Sequence, residues 1–148
     1  MDTDRQDRFR YLITKDLPHA DVLALYRAAG WFGTSDPAPE LDAMIANSFA
    51  VSAAFDDSGR LAGMARALSD GVSDAYILDV VVAPEFRSQG VGRTIVKRLA
   101  GHLASFGIDW IVCIGVPGTE AFYRAAGAVP MDGHTAFRFQ VKNGADGK

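Results

Sequence analysis

Apolar positions change their spacing several times along this chain, and each change predicts an element. Phe9 to Thr14 is a short apolar run suited to an edge strand. From Pro18 onward Val22, Leu23, Leu25, Tyr26 and Ala29 recur at helical spacing, and Gly30 can end that helix in a left-handed conformation. Trp31 to Pro37 reads as a loop carrying exposed aromatics, and Leu41, Met44 and Ile45 mark a shorter helix ending near Asn47. Phe49 to Phe55 and Leu61 to Leu68 read as strands joined by the turn residues Asp56-Asp57-Ser58-Gly59. After a polar turn at Ser69 to Ser73, Ala75 to Ala83 is nearly continuously apolar, as expected of a central strand buried on both faces. Asp79 interrupts it.

From Gly90 to Phe106 the helical period returns, with Val91, Ile95, Leu99, Leu103 and Phe106 on one stripe and Gly107 as its stop. Asp109 to Val116 predicts a strand, Thr119 to Ala126 a short helix and His134 to Val141 a last strand. The order β-α-α-β-β-β-α-β-α-β describes a single α/β domain, residues 1–148, with its core at about 9–141 and frayed ends. The first half of its sheet should be mainly antiparallel.

Composition narrows the class. The 148 residues suit one core, and 49% hydrophobic with 22% charged residues is an ordinary globular balance. A net charge of −3, with no Lys/Arg cluster, argues against nucleic acid as a partner. No apolar stretch approaches the ~18 residues of a membrane span, and the charged N-terminus lacks the apolar core of a signal peptide. A cytoplasmic location is the expectation. Cys113, the single cysteine, lies in an apolar run and reads as a buried small hydrophobe. His19, His102 and His134 are scattered, so no metal site is expected.

The segment from Val80 to Arg93 is the one that suggests chemistry. A buried strand enters a turn holding Gly90 and Gly92, and the turn opens a long helix. The first amides of a helix lack partners and carry partial positive charge, glycine lets an anion approach the backbone, and Arg87 and Arg93 add formal charge. This is a cradle for a pyrophosphate. The lysine of a nucleotide P-loop and the third glycine of a dinucleotide fingerprint are both missing, which disfavours those ligands.

Here the sequence resembles a known family. Val82-Ala83-Pro84-Glu85-Phe86-Arg87-Ser88-Gln89-Gly90-Val91-Gly92 resembles the acetyl-CoA-binding motif of the Gcn5-related N-acetyltransferases (GNAT), with its Arg/Gln-x-x-Gly-x-Gly/Ala core. Downstream, Ala121-Phe122-Tyr123-Arg124-Ala125-Ala126-Gly127-Ala128 resembles the family's Phe-Tyr-x-x-x-Gly-Phe segment, departing from it at Ala128. The resemblance covers about residues 9–141. It implies a mostly antiparallel mixed sheet of six to seven strands, splayed between the fourth and fifth, with about four helices. It further implies that the backbone at Val80 and Val82 pairs with pantetheine amides, while Arg87, Ser88, Gln89, Gly90, Val91, Gly92 and Arg93 enclose the pyrophosphate. Acetyl-CoA is the implied co-substrate, with no metal and an acyl group passed directly to an amine. Dimers are frequent in the family, which leaves a homodimer open.

Direct transfer needs a deprotonated amine and favours protonation of the departing thiolate. Tyr123 matches the tyrosine that often serves the family as general acid; its alternative is a core phenol. Asp79 is the candidate base, because a carboxylate among Ile, Leu and Val needs a partner or a task; its alternative is a structural, hydrogen-bonded role. Asp70 and Asp74 flank the same strand and either bind an ammonium group or serve as turn residues. Trp31 and Phe32 follow the first helix, where this fold commonly builds the acceptor wall, or else they pack under the loop. Leu25-Tyr26, Gly30-Trp31, Ala46-Asn47-Ser48, Gly63 to Ala67, Ser69-Asp70 and Leu78 to Val80 resemble the branch holding the plastid-type serotonin N-acetyltransferases. A small-molecule amine acceptor is the leading expectation. A protein lysine or N-terminal acetyltransferase and a non-catalytic acyl-CoA-binding module are the alternatives.

Overall fold

The computed structural model describes residues 8–33, 38 and 40–142. The chain runs through β1 (Arg10–Ile13), α1 (His19–Ala28), α2 (Leu41–Asn47), β2 (Ala50–Phe55), β3 (Leu61–Ser69) and β4 (Asp74–Val82). A 3-10 turn at Pro84–Phe86, α3 (Val91–Ala104), β5 (Trp110–Cys113) and α4 (Glu120–Ala125) complete it. The strands lie side by side in chain order, antiparallel except for the parallel pair β4–β5. That parallel pair requires a crossover, which α3 supplies. Of the aromatic loop after α1, residues 34–37 lie outside the described residues, as does most of the expected C-terminal tail.

Helix α3 buries Val91, Ile95, Leu99 and Leu103 against β2, β3 and β4, as its apolar stripe predicts. Gly63 of β3 faces Ile95 across this interface. Arg66, three positions along the strand, therefore points to the other face. There α1 packs through Val22, Leu25 and Tyr26.

Four sequence expectations need correction. The strand expected to be buried on both faces is β3, whose residues Leu61 to Ala67 are all buried, because it lies in the middle of the sheet with helices on both sides. β4 alternates buried and half-buried positions instead. Phe106 falls beyond the last turn of α3 and is exposed, with its ring against Phe49 and His102. The strand expected over Asp109 to Val116 stops at Cys113, since β4 and β5 pair only from Asp74↔Trp110 to Ile77↔Cys113. Finally, His134 to Val141 pairs with no strand, so the sheet has five strands among the described residues rather than six or seven. The trio Phe137, Phe139 and Val141 is exposed along that segment.

Candidate functional site

β4 changes partners midway. Up to Ile77 it is paired on both edges; beyond, Val81 and Val82 pair with Met64 and Gly63 of β3, while β5 has ended. The edge of β4 that faced β5 is thus open from Leu78 to Val82. At the same point β4 is bulged: Leu78 stands opposite Arg66 and Val81 opposite Met64, so Asp79 and Val80 together face Ala65. Asp79 has φ +52°, an uncommon conformation for a non-glycine residue that the bulge imposes. The result is a gap whose one wall is main chain at Val80 and Val82 with no partner strand on that edge. Arg87 Nε donates to the Val82 carbonyl at 3.1 Å, so an amide seeking that oxygen must share it or displace Arg87.

The gap leads to the start of α3. Ser88 and Gly90 both adopt left-handed backbone, at φ +62° and +81°. No side chain caps the helix, and its first intrahelical amide bond is Thr94 N to Gly90 O at 3.1 Å. The amides of Val91, Gly92 and Arg93 therefore point outward from an electropositive end. A terminal guanidinium nitrogen of Arg93 lies 3.5 Å from where a side chain on Gly90 would stand, so its charge overhangs the loop. Gln89 Nε2 donates to Glu85 O and fixes the loop from below. Gly92 has an additional reason to lack a side chain. A Cβ there would meet the Phe122 ring at 3.1 Å and Val82 Cγ2 at 3.3 Å, so the glycine is needed for α4 to pack on α3.

Opposite the cradle, at the bulge, three buried side chains meet. Arg66 Nε and Asp79 Oδ2 form an ion pair at 2.7 Å, and Tyr26 Oη donates to the same oxygen at 2.8 Å. Arg66 also reaches Ser48 Oγ at 3.4 Å, and that hydroxyl donates to Met44 O at 2.8 Å. Burial and the nearby Asp79 charge push the Tyr26 phenol far above its ordinary pKa. Trp31 packs edge-on to Tyr26 with ring centres 5.1 Å apart, and Phe32 stacks on it at 5.9 Å. Both are half-buried rather than exposed, so they form a wall around Tyr26 above Asp79.

Tyr123, on α4, reaches the β5 side of the gap. Its ring comes within 3.2 Å of the position a side chain on Gly115 would take. Burial raises its pKa, with further upward pushes from Cys113 and Tyr76, the residues at the last paired rungs of β4 and β5. The phenol thus stays protonated at neutral pH beside the point where the strands part. Burial also raises the pKa of the Cys113 thiol, which disfavours its nucleophilic thiolate form.

Asp70 and Asp74 do not join this site. Asp70 Oδ1 accepts backbone amides from Val72, Ser73 and Asp74 at 2.8, 2.8 and 3.2 Å, organising the β3–β4 turn. Asp74 accepts from Ser73 Oγ at 2.6 Å at the far end of β4, about 16 Å from Asp79 at strand rise. Arg66, Tyr26 and Tyr76 are members that sequence reading did not single out. Arg66 carried a usable signal, since a lone charge in Gly63 to Leu68 is as anomalous as Asp79 in its own strand.

The sequence and the fold have counterparts among known proteins. A family model described as "Acetyltransferase (GNAT) family" matches residues 10–128. Serotonin N-acetyltransferase 2, chloroplastic, of Oryza sativa subsp. japonica is 38% identical over 74 residues, covering 50% of this chain and 37% of the relative. Histone acetyltransferase TAP1 of Glycine max is 31% identical over 122 residues, 76% of this chain and 52% of the relative. The chain spans about two fifths of the length of the first curated relatives, 42%, 37% and 38%. The solved structure of a GNAT-family acetyltransferase from Streptococcus pneumoniae TIGR4 superposes with a TM-score of 0.72 at 22% identity, covering 90% of this chain and 98% of that one.

Proposed function

The chain belongs to the acetyltransferase (GNAT) family, and from that premise we propose that it transfers an acetyl group from acetyl-CoA directly to the primary amine of a small molecule. The observation that carries this reading is the parting of β4 and β5 beside the uncapped start of α3. A thin amide-bearing arm fits the unpaired edge at Val80 and Val82, and a pyrophosphate fits the outward amides from Gly90 to Arg93 with the arginine charges above. Acetyl-CoA supplies the activated thioester when bound; the protein's own residues do the rest.

Tyr123, whose ring lies beside Gly115 on the β5 side of the gap, is our candidate to donate a proton to the departing sulfur. Asp79 we assign to positioning rather than to base catalysis. Protonating it would break its ion pair with Arg66 and its bond from Tyr26, both buried. Its task is to hold the bulge that re-aims the main chain at Val80. Removal of the amine proton then falls to water at the mouth of the gap. The half-buried rings of Trp31 and Phe32, packed on the buried Tyr26, favour an acceptor with an apolar body behind its amino group.

The test is release of free CoA thiol from acetyl-CoA with arylalkylamines, linear aliphatic amines and lysine-bearing peptides as acceptors. Release with small amines is the expected result. Release with peptides alone would change the acceptor class to protein. Binding of CoA without release for any acceptor would replace the enzyme by a binding module.

A further inference from the structure

One main-chain oxygen at the mouth of the gap has two claimants. Ala83 N donates to Ala62 O at 2.8 Å, so Ala83 turns its main-chain groups towards β3. That direction alternates from residue to residue along a strand, and the Val82 carbonyl therefore faces the other edge. This is the edge left open where β5 stops pairing at Ile77. A ligand arm that adds to the edge needs the Val82 oxygen, but Arg87 Nε already donates to it at 3.1 Å. The guanidinium lies across the end of the gap.

Little else holds Arg87 there. Its side chain is exposed and forms no ion pair among the described residues. Glu85, the nearest acid along the chain, pairs with Arg60 instead. The backbone beneath it is fixed: Phe86 is buried, Arg87 N donates to Pro84 O at 3.4 Å, and Gln89 Nε2 donates to Glu85 O at 3.2 Å. A free side chain on a fixed backbone can exchange one partner for another. Behind Arg87 is the neutral Val82 carbonyl. Ahead of it are the outward amides of Val91, Gly92 and Arg93, where an anion fits. A guanidinium and a phosphate, both charged, form two parallel hydrogen bonds, so a phosphate is the better partner.

We propose that Arg87 is a latch that makes the protein select donors carrying a phosphate. The proposal rests on the reading of the open edge as the seat of the pantetheine arm. With the gap empty, Arg87 holds the Val82 oxygen. A pantetheine amide must evict the guanidinium to reach that oxygen, and a phosphate-free thioester gives the guanidinium only water in exchange. A pyrophosphate draws Arg87 forward, and the edge opens for the arm that follows. Phosphate and arm are thus coupled through one side chain, and each tightens the other by the same factor.

Calorimetric and NMR titrations of the full chain test this with three probes: CoA, pantetheine, and pantetheine in saturating inorganic pyrophosphate. In the wild type, pyrophosphate should tighten pantetheine binding roughly threefold or more, the effect of about one recovered hydrogen bond. Arg87→Met keeps the aliphatic stem and removes every donor. This variant should bind pantetheine alone about threefold more tightly than the wild type, and CoA roughly tenfold less tightly. It should also be indifferent to pyrophosphate. Opposite movement of the two affinities is the decisive readout, because a substitution that only damages the loop weakens both ligands. Pantetheine affinity unchanged or lowered in Arg87→Met overturns the latch, as does a wild-type affinity that ignores pyrophosphate; CoA binding by the wild type would then keep the acyl-CoA reading. A wild type that binds neither CoA nor pantetheine removes that reading and the latch with it.

Discussion

The two ends of the candidate site are made of different material. At the end of β4 leading into α3, the site is main chain: left-handed Ser88 and Gly90, uncapped amides, and an unpaired strand edge. At the bulge it is side chain: Arg66, Asp79 and Tyr26 converge on one carboxylate oxygen. The first depends on backbone conformation and tolerates most side chains. The second depends on the identity of each of three residues from three elements. A ligand group common to many reactions can be held by the first kind of site, whereas an acceptor has to be recognised by the second. This is why the proposed ligand of the main-chain end is a defined group, a pyrophosphate, whereas the proposed acceptor is only a broad class.

The largest expected effect comes from breaking the side-chain end. Arg66→Ala leaves Asp79 buried without its cation, which should cost about 3–5 kcal/mol of folding stability. Denaturant unfolding should show that loss, while calorimetric titration of the folded protein finds CoA affinity within twofold. Asp79→Asn should likewise lower the melting temperature and leave the pH profile of the surviving activity in place. A profile that moves, with stability kept, would restore Asp79 as the base and erase the contrast between the two ends.

Tyr123 lies between the two ends, and its substitution asks whether the gap does chemistry at all. Tyr123→Phe removes one hydroxyl and should reduce turnover by roughly 10²-fold, about 2.7 kcal/mol in barrier, with CoA binding unchanged. Because burial raises its pKa, ionisation of Tyr123 should cut activity only above the ordinary tyrosine value of ~10. Turnover within threefold of wild type would assign thiolate protonation to water or another group.

Main-chain conformation is encoded locally, and so the cradle was legible in the sequence. Gly90 ahead of an apolar helical stripe announces an electropositive helix start, and the run Ala75 to Ala83 announces the strand feeding it. The side-chain end was only half legible. Asp79 stood out in an apolar strand, but its partner Tyr26 is 53 residues away and looked like one more core position on a helix. No local pattern records which buried donor a carboxylate will find. Nor does alternation alone say where a strand will pair. His134 to Val141 has the right period, yet pairing is a property of a second edge, and the segment pairs with no strand among the described residues. Ser88 likewise gives no sequence sign of its φ of +62°, since nothing about serine calls for a left-handed backbone.

Two neighbouring glycines divide the main-chain end into conformation and packing. Gly90→Ala meets nothing closer than an arginine tip, but it strains a φ of +81°. Its cost is about 1–2 kcal/mol, and the distorted cradle should bind CoA roughly 10-fold less tightly. Gly92→Ala keeps an ordinary helical backbone and instead pushes its Cβ towards Phe122. It should lower stability by ~1–3 kcal/mol with a smaller loss of affinity. If Gly92→Ala weakened CoA more than Gly90→Ala, the positive φ would not be what shapes the anion site.

The smallest effect is expected from Asp70, and it tests whether the contrast extends beyond the site. The Asp70 carboxylate is exposed and holds three turn amides, and those bonds lower its pKa, with the Ser73 amide contributing most. A group whose folded pKa is lowered stabilises the fold above its unfolded value of ~3.9 and loses that contribution as pH falls through the folded value. Asp70→Ala should therefore lower the melting temperature slightly at neutral pH. The gap between the two proteins should begin to close as the pH drops below about 4, where the unfolded carboxylate takes up its proton, and should vanish only once the folded carboxylate is protonated as well. KM for the amine should not move, because Asp70 lies with Asp74 at the far end of β4. A raised KM with an unchanged melting temperature would bring the turn into the acceptor site.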